Sequence, residues 1–241
     1  MDTQTPAPAP APTNTGAFFE KYGTALALLV GLLFIGGVIA YGQNQDRATE
    51  STPTAEEVQP VDIADVDTGS SPFAGPADAP ITLAVWYDYQ CGYCKQFENT
   101  TLQQVQAEYG DQVRIVYKDF QFLGAASNET ALYGRAVWEA HPDRWEEWFE
   151  AVFASEEEGT LTTAGLDAVS SSLGLDVAHI AQLRSSNAGA YQAAIDADRE
   201  EGQRFGVNGT PGTIVGTTLI EGAQPFEAVK AAIDATLAGK G

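Results

Sequence analysis

ITLAVWYDYQCGYC, residues 81–94, is the stretch that decides how this chain folds. Its first seven residues, Ile81 to Tyr87, form a nearly continuous apolar run, which predicts a strand buried on both faces. After three intervening residues comes Cys91-Gly92-Tyr93-Cys94, and these two cysteines are the only ones among 241 residues. From Cys94 to Tyr109, the residues Phe97, Thr101, Leu102, Val105 and Tyr109 recur on one helical face, and Gly110 stops the run. The cysteine pair therefore lies where a buried strand turns into an amphipathic helix. A helix N-terminus offers unpaired N–H groups and a partial positive charge. Both stabilise a thiolate, so the pKa of Cys91 is expected below the free value of about 8.5. The thiolate is the attacking species in disulfide exchange. Cys94, one turn on, points back into the helix–sheet packing and is expected to be the more buried. Cys91 would then form the mixed disulfide and Cys94 would resolve it.

Other uses of the pair fit less well. A metal knuckle needs two further ligands, and the only histidines, His141 and His179, fall in the helical middle of the chain. Two ordinary buried cysteines leave their junction placement unexplained. A structural disulfide across so short a loop stabilises little by loop-closure arguments. The expectation is redox chemistry with no metal and no cofactor beyond the Cys91–Cys94 disulfide itself.

Outward from this stretch the pattern alternates. Val61 to Val66 reads as an edge strand and Val113 to Tyr117 as a second buried strand. Helices are predicted over Asn128–Ala140, Arg144–Ser155, Thr163–Leu173 and Asp176–Arg184. In the second of these, Trp145, Trp148, Phe149, Val152 and Phe153 recur at i, i+3, i+4, i+7 and i+8. Gly189 to Phe205 gives a weaker helix signal, because Asp198 and Gly202 interrupt its stripe. Thr213–Val215 and Thr217–Ile220 form a hairpin across Gly216, followed by a helix from Pro225 to Leu237. The order predicts an α/β fold with an all-helical insertion at about 126–188. Between the insertion and the hairpin, Gly206 to Gly212 reads GVNGTPG. Pro211 there is a candidate cis proline that would expose the Thr210 backbone to an extended peptide; an ordinary Pro-Gly turn fits the same residues. Trp86, Tyr87, Tyr89 and Tyr93 crowd the dithiol, either as core and rim packing or as a collar for unfolded chains.

Before the globular region, residues 1–22 read as a disordered Pro/Ala-rich tail, whose first stretch, Met1 to Thr15, alternates Pro and Ala and gives no core. Gly23 to Gly42 then runs for 20 residues without a charge, about 30 Å as a helix, flanked by Tyr22 and Tyr41. An uncleaved transmembrane anchor is the preferred reading over a signal peptide cleaved near Ala40-Tyr41-Gly42, because the leading region is long and its only basic side chain is Lys21. Residues 43–60 form a polar tether, and residues 61–241 form the globular domain. The chain carries 12 Lys and Arg against 33 Asp and Glu, a net charge of −21. That argues against nucleic acid as a partner and against docking on an anionic membrane surface.

The runs PADAPITLAVWYDYQCGYCKQF, VRIVYKDF and GVNGTPGTIVGTTLIEGAQPFEAVKAAID together resemble the DsbA-like branch of the thioredoxin superfamily. The resemblance covers about residues 60–241. It implies a thioredoxin fold interrupted by a helical subdomain, with Cys91 as nucleophile, Cys94 as resolving thiol and Pro211 as the cis proline facing them. It further implies a thiol–disulfide oxidoreductase outside the cytoplasm, acting on unfolded or reduced proteins and reoxidised by a membrane redox partner. Thr210, Tyr93, Gly92 and Tyr89 are the expected substrate contacts. A reductase or isomerase fed by a membrane carrier, or a tethered binding module, are the alternatives. The Gly-Tyr dipeptide and the Thr before Pro211 look more like the isomerase relatives, although residues 43–60 are too few for the dimerisation domain those isomerases carry. Many relatives have a buried acid six positions before the first cysteine, with a lysine nearby, as a proton relay. Here that position is Val85, while Lys118 remains, and Asp88 is the nearest carboxylate in sequence, a candidate relay or a polar cap.

Overall fold

The central strand, β2 (Ile81–Tyr87), has the bounds of its apolar run. Both of its faces are buried, which is why it shows no polar alternation. On one side it pairs in parallel with β3 (Val113–Asp119), in the register Ile81–Val113 to Tyr87–Asp119. On the other it pairs antiparallel with β4 (Gly212–Val215), which turns back into β5 (Thr218–Glu221). A two-residue strand, β1 (Phe73–Ala74), adds antiparallel to the far edge of β3, so the sheet order is β1-β3-β2-β4-β5. These features come from a computed structural model that describes residues 61–155 and 159–239. The expected tail at 1–22, transmembrane anchor at 23–42 and tether at 43–60 lie outside the described residues. Among the described residues no helix is long and apolar enough to cross a membrane.

Alternation along the strands divides the core into two layers. Leu83, Val85 and Tyr87 face the larger cluster, which holds Cys91, Cys94, Phe97 and the aromatic residues of the insertion. Ala84 and Trp86 face a smaller cluster with Phe120, Phe205, Val207 and Ile214. Helix α1 (Gly92–Phe97) continues through a π turn at Glu98–Leu102 into α2 (Gln103–Tyr109). The helical run thus begins two residues before the expected start, because Cys91 itself is the N-cap and its sulfur receives the Cys94 N–H. It stops at Gly110, whose φ of +49° suits glycine.

Between β3 and β4 lie α3 (Ala125–Ala140), α4 (Trp145–Ala154), α5 (Thr163–Ser172) and α6 (Val177–Arg204). Helix α7 (Phe226–Ala238) ends the described chain. The apolar stripe of α4 is buried throughout, and Trp145 stacks on Phe149 at 4.7 Å.

Two expectations need correction. The edge strand at Val61–Val66 is absent: Asp62 instead caps a short 3-10 turn at Ile63–Asp65, and only the Ile63 N–H reaches the sheet, at the Gly216 carbonyl. The two separate helices at 176–184 and 189–205 are one helix of 28 residues, so the expected end of the insertion near 188 falls inside α6. Asp176 caps its start by accepting the His179 N–H. The supposed interruptions are contacts. Asp198 lies 2.5 Å from the Lys118 ammonium and also meets the Arg135 guanidinium, so a charge sits on the buried stripe because it is paired. At Gly202 a Cβ would lie 2.8 Å from the Trp86 ring, so only glycine lets α6 approach the sheet this closely.

Candidate active site

The end of β2 and the start of α1 hold the two sulfurs at different depths. Cys91 retains 8% of its surface and Cys94 retains 4%. The Cys94 N–H points at the Cys91 sulfur at 3.4 Å. Across from it, the Thr210 carbonyl lies 3.3 Å from the same sulfur, and the Thr210–Pro211 peptide is cis. The expected pairing of Pro211 with the dithiol is therefore present in the geometry.

Proton affinity is split between the two thiols. Hydrogen bonding from the Cys94 thiol is the largest influence on Cys91, and the Thr210 side chain and the N–H groups of Cys94 and Tyr93 add to it. Against the opposing effect of burial they lower its pKa to about 6. Cys94 moves the other way: burial, reinforced by its bond to the Cys91 sulfur, pushes its thiol well above the ordinary range. At neutral pH the reduced pair thus holds a thiolate at Cys91 and a thiol at Cys94.

The remaining expected site residues divide. Gly92 and Tyr93 are exposed, Tyr93 to 69%, and Thr210 is half-buried. Tyr89 is buried instead, its hydroxyl 3.2 Å from that of Tyr87 and its ring stacked on Phe153 at 5.5 Å. It reaches the surface only as part of the wall of a groove of about 430 Å³ that Gln90, Cys91, Gly92, Lys95 and Phe153 also line. Asp88 accepts the N–H groups of Gln90, Phe122 and Leu123 and the Ser127 hydroxyl, at 2.5–3.0 Å. It clasps the loop after β3 to the dithiol turn, a capping arrangement. Lys118 does not join the dithiol. Strand alternation turns it to the Trp86 face of the sheet, where Asp198, Glu201 at 2.9 Å and the Asp67 carbonyl engage it.

Three functional candidates were not anticipated. Phe122 and Leu123 are 47% and 45% exposed, and Asp88 holds their backbone beside the dithiol. With Tyr93 they are the exposed large apolar side chains of the described residues. The third is Glu98, which is 3% exposed and lines the same small cavity as Cys94. The signal for it was an acidic residue between Phe97 and Leu102 on the buried side of the helix.

A model of the thioredoxin family matches residues 67–235. Disulfide bond formation protein D of Bacillus subtilis is 26% identical over 175 residues, covering 70% of this chain and 78% of that protein. The probable disulfide bond formation protein D of Bacillus cereus is 24% identical over 221 residues, covering 86% and 93%. Among solved structures, oxidised BdbD of Bacillus subtilis superposes with a TM-score of 0.63 at 24% identity, covering 73% of this chain and 96% of that one. The thiol-disulfide exchange protein alpha-DsbA2 of Wolbachia pipientis also reaches 0.63, at 22% identity, covering 68% and 86%.

Proposed function

The chain belongs to the thioredoxin family, and on that premise we propose that it is a membrane-anchored, extracytoplasmic enzyme that introduces disulfides into reduced protein substrates. Thiol–disulfide oxidoreductase activity is common ground with the disulfide bond formation proteins it resembles. The observation that carries the reading is the setting of the pair, with Cys91 capping α1, its sulfur receiving the Cys94 N–H and lying 3.3 Å from the Thr210 carbonyl, an arrangement that lowers the Cys91 pKa to about 6 while burial raises that of Cys94. A stabilised Cys91 thiolate is a good leaving group, which favours handing the disulfide on to a substrate.

In the cycle, a substrate thiolate attacks the Cys91 sulfur of the Cys91–Cys94 disulfide and expels Cys94. A second substrate thiol then displaces Cys91 and leaves oxidised. The Thr210 carbonyl beside the Cys91 sulfur offers backbone pairing to an extended substrate, and Gly92, Tyr93, Phe122 and Leu123 supply open, apolar surface around it. A membrane redox partner would return the dithiol to the disulfide. The uncharged segment at 23–42 supports anchoring, and extraction of the full chain from membranes by detergent, and not by alkaline buffer, is the expected result.

Redox potential tests the direction. A Cys91 pKa of about 6 is a weaker stabilisation of the reduced form than the value of about 3.5 in the strong oxidant DsbA. Equilibration with glutathione should therefore give a potential more negative than about −120 mV and less negative than about −270 mV, the thioredoxin value. A result at the thioredoxin end makes the protein a reductant and overturns the oxidase reading.

A further inference from the structure

Cys94 has to lose a proton before it can attack and has to gain one after it leaves. Its surroundings hold few groups able to trade one. The cavity behind it is small, with about 10 Å³ open to the centre of a water molecule, room for one. Val85, Phe149 and Pro211 line it with Cys94, and so do Tyr117 and Glu98. Glu98 is the only carboxyl group on that lining. It follows Cys94 by one helical turn, its own N–H bonded to the Cys94 carbonyl, so both side chains leave the helix on the same side. Its carboxyl receives the Tyr117 hydroxyl at 3.3 Å. We propose that Glu98 is the proton donor and acceptor for Cys94, exchanging the proton directly or through a single water in this cavity. The inference rests on the Cys91–Cys94 exchange set out above.

The groups facing Glu98 are Cys94 on its own helix, Tyr87 from β2, Tyr117 from β3, and Glu146 and Glu150 from α4. Burial raises its pKa most; the charge of Glu150 adds to this, the Tyr117 bond opposes it, and Glu146 adds a little, to a result of about 8. Neither tyrosine is a base, since burial drives both phenols far above their usual range. Asp88, the other nearby carboxylate, is occupied by four donors. A pKa close to the working pH suits a group that must both give and take a proton.

During substrate oxidation, the substrate thiolate forms a bond to the Cys91 sulfur and the Cys91–Cys94 bond breaks. The electron pair departs on Cys94, and the Glu98 proton moves to it, leaving a carboxylate. A second substrate thiolate then bonds to the first and expels Cys91 as a thiolate, so the substrate loses two electrons and the dithiol gains them. In reverse, the Glu98 carboxylate removes the Cys94 proton. The Cys94 thiolate attacks the Cys91 sulfur of a mixed disulfide, and the other thiolate leaves.

The test uses the full chain and glutathione as the probe. Reduced protein is mixed rapidly with oxidised glutathione, and the Cys91–glutathione mixed disulfide is followed as Cys94 expels glutathione between pH 6 and 10. The wild-type rate should inflect near pH 8. Glu98→Gln should slow expulsion at pH 8 by tenfold or more and lose the inflection, while Glu98→Asp restores part of both. Packing damage alone would lower the rate evenly across pH. Should Glu98→Gln fail to fold, Tyr117→Phe takes its place: losing that hydrogen bond should move the inflection to higher pH by roughly 0.5–1 unit. A Glu98→Gln profile equal to wild type, or an unmoved inflection in Tyr117→Phe, overturns the proposal. Cys91→Ser should form no mixed disulfide; if wild type forms none either, the exchange reading fails as a whole, a separate outcome.

Discussion

At the scale of single residues, the acidity of Cys91 links redox state to pH. Its folded pKa of about 6 lies below the unfolded value of about 8.5. A depressed pKa contributes stability that is present above the unfolded value and is lost as pH falls through the folded one. The disulfide form lacks this titration. The melting temperature of the reduced protein relative to the oxidised should therefore rise from pH 6 to about 8.5, read by paired thermal melts. A flat difference across that window would mean that no stabilised thiolate exists. This contribution was legible from position alone, since a cysteine capping a helix after a buried strand has few other environments. Glu98 was not, because a lone acid on a helix normally reads as solvent-facing, and the cavity that encloses it is closed by Tyr117 and Phe149 from distant segments.

At the scale of elements, β2 and α4 follow their sequence patterns because burial on both faces, or on one stripe, decides them without outside help. Helix α6 does not. Its pattern breaks at Asp198 and Gly202, and both breaks are resolved by partners far away in the chain: Lys118, Arg135 and the Trp86 ring. Periodicity counts apolar side chains only, so a buried charge with a partner 63 residues away in sequence looks like a flaw. Asp198→Ala leaves two buried cations short of an anion and should cost about 3–5 kcal/mol, measured by denaturant unfolding. Gly202→Val should push α6 off the sheet and cost about 1–3 kcal/mol through overpacking. Substitution of exposed Glu200 on the same helix should cost under about 0.5 kcal/mol.

At the scale of the whole molecule, the sequence carries a net charge of −21, while one end carries the exposed Tyr93, Phe122 and Leu123 beside the reactive sulfur. Unfolded chains offer apolar segments that glutathione lacks. Replacing both Phe122 and Leu123 with Ser should therefore lower the ratio of protein-thiol oxidation to glutathione oxidation several-fold, mainly through a higher KM for the protein. An unchanged ratio would show that this end only packs the loop.

The unbroken α6 also has a mechanical meaning. Its 28 residues, about 42 Å of rod, begin among the inserted helices and end beneath the central strand, where Trp86 donates its indole N–H to the Asp198 carbonyl. A load on the insertion is thereby carried straight to the sheet, and the two lobes are welded where a hinge would otherwise form. Domain 61–239 should yield in a single cooperative step, its amides along the middle of the rod exchanging with deuterium as slowly as those of β2.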